Sequence, residues 1–89
     1  MNTAEKIRQR LAALNPEHIE ILDESAKHAG HEGAKGGGGH YWLTIVSPQF
    51  AGAPTLARHR MIYDLLGDMM HKEIHALSIK AYTPGESEF

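Results

Sequence analysis

Residues 40–47, HYWLTIVS, decide the fold. Tyr41, Leu43 and Ile45 share one parity, and Trp42, Thr44 and Val46 share the other. Successive strand side chains point to opposite faces, so the run reads as a β-strand. Both faces are largely apolar, as expected of a central strand covered by helices on one side. The aromatic pair Tyr41 and Trp42 is read as core in preference to a base-stacking platform. Ser47-Pro48 ends the strand.

Upstream, residues 18–24, HIEILDE, form a second predicted strand, with isoleucines that suit a pleated surface. It pairs with residues 40–47 as a hairpin across a long loop. Residues 3–14 read as a helix capped by Thr3, with Ala4, Ile7, Leu11 and Leu14 on one stripe. Asn15-Pro16 stops it, because a residue before proline is pushed out of the α region. The basic side chains Lys6, Arg8 and Arg10 are read as its solvated face.

Downstream, Phe50 is the expected anchor of a connector over 48–53, and a helix begins near Pro54. Leu56, Ile62, Leu65, Leu66 and Met69 form its apolar face, and Gly67 weakens or breaks it. Residues 74–82, IHALSIKAY, are the last strand, with His75, Leu77, Ile79 and Ala81 on one parity. The order helix, two strands, broken helix, strand predicts an α+β domain: a three-stranded sheet with helices on one face. Residues 1–84 make the domain, and 85–89 a polar tail that frays.

Composition narrows the chemistry. The 89 residues suit one domain with a thin core and little room for a deep enclosed active site. A net charge of −2 gives no general attraction to nucleic acid or anionic membrane. The absence of cysteine excludes thiolate nucleophiles, disulfides and cysteine-ligated zinc. No run approaches the roughly 20 apolar residues that span a bilayer, and the N-terminus has no apolar signal segment. A cytoplasmic location is the expectation. Asp23 and Glu24 are adjacent on a strand end and point apart, and no serine sits in a nucleophile elbow. No catalysis is expected.

The 7 histidines carry more information. The loop over 26–39 holds six glycines, together with His28 and His31, and His40 closes it. Loops this long in small domains are usually functional or disordered. Gly33-Ala34-Lys35-Gly36 matches a short GxxG signature literally, but it lies between strands where that signature joins helices. It also lacks the lysine and hydroxyl of a phosphate-binding P-loop. His28 and His31, three apart, can face one ion, and His75 starts a strand that can lie beside the hairpin end. Imidazole ligates iron, copper or zinc. The competing reading is solvated loop histidines. A ligand set this incomplete points to a shared site, with a partner supplying the rest. Arg58, His59 and Arg60 form a basic knot near a helix start, read first as surface and second as a phosphate contact.

The motifs then carry a resemblance. DES-x-x-H from Asp23 to His28, Gly30-His31, HY-x-L-x-I-V-S-x-x-F over 40–50, RHR-x-I-Y over 58–63, and IHAL-x-I-x-A-x-TP over 74–84 resemble the BolA family over nearly the whole chain. The resemblance implies an αββααβ fold of the class II KH-like type, with a helix-turn-helix-like segment around 48–70. It also implies partnership with a monothiol glutaredoxin of the CGFS type and sharing of a [2Fe-2S] cluster with it and with glutathione. The isolated chain would hold no cofactor. The implied ligands are His75 and a loop residue, His28 by position with His31 its competitor. The second implied activity is DNA-binding transcriptional regulation tied to stress and cell shape, with Arg58 and Arg60 as its surface. The isolated chain is expected to be a monomer or weak homodimer. This loop is longer and richer in glycine than the family motif requires, and no GxxG joins the helices.

Overall fold

The computed structural model describes residues 2–24 and 39–86. Helix α1 (Thr3–Leu11) leads through a 3₁₀ turn (Ala12–Leu14) into strand β1 (His18–Asp23). Strand β2 (Gly39–Val46) follows, then a 3₁₀ turn (Pro48–Phe50), helix α2 (Thr55–Leu66), a further 3₁₀ turn (Gly67–His71) and strand β3 (Ile74–Tyr82). The sheet order is β1-β2-β3, with β2 antiparallel to β1 and parallel to β3. The fold is the α+β arrangement expected, and β2 is its central strand. A parallel neighbour requires a crossover, which α2 supplies. Of the two helical segments expected between β2 and β3, the second is the 3₁₀ turn that Gly67 sets off from α2.

Register fixes which face is buried. Ile19 and Ile21 pair with Ile45 and Leu43, and Leu77 and Ile79 pair with Tyr41 and Leu43. Ile7 and Leu11 of α1 and Ile62 and Leu66 of α2 close over this face, and Phe50 is fully buried as the anchor. Among the described residues the opposite face has no helix. Trp42 therefore stands half exposed (50%) beside its cross-strand neighbour Leu22 (54%), and is not core as the sequence suggested. Alternation alone identified two apolar faces; one pair of helices covers only one of them.

Local chemistry sets the boundaries. Asn2, not Thr3, caps α1: its side chain accepts from the Glu5 N–H at 2.8 Å. Asn15 ends the first helical segment in the left-handed region at φ 48°, a conformation asparagine tolerates. Gly67 ends α2 at φ 56°, and the Arg10 Nη1 donates to the freed Leu66 carbonyl at 3.1 Å. Leu56 is exposed, against expectation, because 3.6 residues per turn places it about 120° around the helix from Ile62. Buried Ser47 donates to the Leu14 carbonyl at 2.6 Å and accepts from the Gln49 N–H at 3.1 Å. Residues 83–86 form a turn instead of a frayed start to the tail: the Glu86 N–H donates to the Thr83 carbonyl at 3.0 Å.

Candidate functional site

The starts of β2 and β3 lie at one end of the sheet because the two strands are parallel. Gly39 pairs with Ile74, whereas His40 pairs with Ala76. The one extra residue of β3 in this bulge is His75. Strict alternation would have sent His75 toward the core with Leu77; the bulge lets it stand exposed. Its ring lies 5.1 Å from that of His40, centre to centre, with the planes tilted by 35°. Backbone bonds on both sides hold the pair. The Gly39 N–H donates to the Glu73 carbonyl at 3.0 Å, and the Glu24 N–H donates to the His40 carbonyl at 2.8 Å.

Two imidazoles at this spacing can serve one metal centre as nitrogen ligands. Among the described residues no group of three or more histidine, aspartate or glutamate side chains could hold an ion alone. His28 and His31 lie outside the described residues, so the juxtaposition rests on His75 and His40. His40 entered the sequence reading as the residue that closes the loop. Its pairing with His75 depends on a parallel register and a bulge, neither of which leaves a local signal.

The arginine candidates separate. The Arg58 side chain is only 11% exposed, and each of its three nitrogens donates a hydrogen bond. Its Nε donates to the Ala53 carbonyl at 2.7 Å and its Nη1 to the Ala81 carbonyl at 3.1 Å. Nη1 and Nη2 both donate to the Glu86 carboxylate, the latter at 3.0 Å, and the guanidinium lies 5.9 Å from the Phe50 ring centre. This clamp joins the start of α2, the end of β3 and the C-terminal turn. The Arg58 bond and the Thr83 N–H hold the Glu86 carboxyl down to about 2, and the same contact raises Arg58. A cleft of about 370 Å³ beside Thr55 and Tyr82 is lined by this ion pair, so its cation already faces an anion from the same chain. Arg60 is exposed on α2. Glu86, which sequence reasoning left in the tail, is the partner that was missed; it lies 28 residues from Arg58.

No helix among the described residues is long and apolar enough to cross a membrane. A family model for BolA-like proteins matches residues 11–86. SufE-like protein 1, chloroplastic/mitochondrial, of Arabidopsis thaliana is 45% identical over 91% of this chain, which spans only 24% of that longer protein. The DNA-binding transcriptional regulator BolA of Escherichia coli K12 is 37% identical over 99% of this chain and 82% of its own length. Among solved structures, BolA1 from Arabidopsis thaliana superposes with a TM-score of 0.84 at 41% identity, covering 98% of this chain and 97% of that one. With the fold, the motifs and the matched span in agreement, this chain belongs to the BolA family of BolA-like proteins.

Proposed function

We propose that this chain is a non-enzymatic adaptor that binds a monothiol CGFS glutaredoxin and contributes imidazole ligands to a [2Fe-2S] cluster held jointly with that partner and glutathione. The observation that carries the reading is the His40–His75 pair, with ring centres 5.1 Å apart on the exposed end of the sheet. Two nitrogen ligands without a complete set suit a centre whose remaining ligands come from another molecule. His75 is one ligand, and His40 is the best placed second, with His28 and His31 the alternatives on the adjoining loop. The backbone bonds around Gly39 and His40 hold the two strand ends side by side before a partner arrives. The cluster supplies iron centres that accept imidazole nitrogen in place of thiolate. The chain's own part is to present those nitrogens at the exposed end of the sheet.

The test is a visible absorption and circular dichroism titration of cluster-loaded, glutathione-containing glutaredoxin with this protein. A spectral change saturating at one-to-one stoichiometry, lost in His75→Ala, is expected. A spectral change that persists in full with His75→Ala would refute the reading. Comparing His40→Ala, His28→Ala and His31→Ala names the second ligand.

A second reading, DNA-binding regulation of stress response and cell morphology, takes support from the name of the Escherichia coli relative and from exposed Arg60. Arg58→Ala would be a misleading probe, because it dismantles the Ala53, Ala81 and Glu86 contacts. Arg60→Ala is the cleaner variant. This reading expects a duplex affinity that falls with salt and a salt slope reduced by about one in that variant.

A further inference from the structure

Strand β3 is an outer strand of the sheet, and its register shows which backbone groups face away from β2. The Ser47 N–H donates to the Tyr82 carbonyl at 2.9 Å. Tyr82 therefore turns its N–H and C=O toward β2. Every second residue of a strand does the same, so Lys80 and Ser78 follow. Leu77, Ile79 and Ala81 turn theirs outward. The Ala81 carbonyl accordingly accepts from the Arg58 Nη1, at 3.1 Å. Among the described residues nothing bonds to the outward N–H and C=O groups of Leu77 and Ile79. Such a row is a template for another extended chain.

The two edges of the sheet differ. Strand β1 has six residues, and the Arg8 Nη1 donates to its Ile19 carbonyl at 3.3 Å. Strand β3 has nine residues, and its arginine contact falls at the far end, on Ala81. The open stretch of β3 begins beside His75, and from His75 to Ile79 is only about 13 Å along the strand. Exposed Lys80 stands next to it without an ion-pair partner among the described residues, whereas Arg58 is neutralised by Glu86.

We propose that the outer edge of β3 takes up an extended, acidic segment of the partner that shares the metal centre, which adds a strand alongside Leu77–Ile79. The inference rests on the cluster reading and deepens it. A ligand bond at His75 brings the partner's chain to the head of this edge. Bonds through imidazole alone would leave the partner free to swing about them; a run of backbone bonds fixes its orientation. Leu77 and Ile79 each offer one donor and one acceptor at strand spacing, a pattern that a peptide backbone matches. Lys80 sets the preference for carboxylates in the added segment.

The experiment is amide hydrogen exchange of the full chain, alone and with cluster-loaded, glutathione-containing glutaredoxin. Exchange is quenched and read residue by residue after the partner is released, and the visible spectrum is followed in parallel. In the free chain the amides of Leu77 and Ile79 should exchange much faster than those of Ser78 and Lys80, which bond to β2. In the complex the Leu77 and Ile79 amides should slow at least tenfold, and Lys80→Glu should weaken the complex about fivefold. A saturating spectral change with Leu77 and Ile79 exchanging as before would overturn the strand addition and leave the cluster reading standing. Slowing confined to β1, or an affinity unchanged by Lys80→Glu, would overturn it as well. So would slowing that appears in the chain alone as its concentration rises, because the occupant is then a second copy. If neither spectrum nor exchange changes, the cluster reading falls and this inference with it.

Discussion

Glu86 shows how one carboxylate makes a chain end part of the fold. Its carboxyl sits at about 2 against an ordinary 4.5, chiefly because Arg58 donates to both oxygens and secondarily because the Thr83 N–H donates to one of them. A folded-state value below the unfolded one gives stability that is complete above the unfolded value. That stability is lost as pH falls from about 4.5 toward about 2. Urea unfolding followed across this window should lose stability in the wild-type chain, and the loss should be smaller in Glu86→Gln. Identical pH profiles would mean the carboxylate is not bound in solution. Ser47 has no charge and a different consequence. Its hydroxyl is buried and makes two bonds, so Ser47→Ala strands the Leu14 carbonyl inside the protein. The expected cost is about 1–3 kcal/mol, read from the urea midpoint.

At the scale of elements, Gly67 separates α2 from the 3₁₀ turn that leads to β3. Its φ of 56° and ψ of −131° lie where a side chain is strained, and an added Cβ would stand 3.4 Å from Arg10 Nη1. Gly67→Ala should therefore destabilise by about 1–3 kcal/mol, in contrast to the gain usual for such a change within a helix. A stabilised variant would show that the segment rewinds as continuous helix. The glycine was visible in the sequence as a break, as were the alternating parity of β2 and the anchor Phe50, since each of these signals is local. What was not visible depends on distant partners. Which face of β2 receives the helices decides the position of Trp42, and two apolar parities cannot reveal it. The exposure of His75 follows from one extra residue between the Ile74 and Ala76 pairings. Strand parity groups it with Leu77, and the bulge is what separates the two. The motif resemblance marked His75 as a ligand, but only the parallel register brings His40 beside it.

Across the whole molecule, the histidine pair caps the end of the sheet where β2 and β3 begin. His75 is exposed and its ring meets only that of His40 among the described residues, so His75→Ala should leave unfolding stability within about 0.5 kcal/mol of wild type. The same variant should abolish the spectral change with cluster-loaded glutaredoxin. If His75→Ala lowered the melting temperature by several degrees, the ring pair would be a structural contact, and its loss could no longer be read as the loss of a ligand.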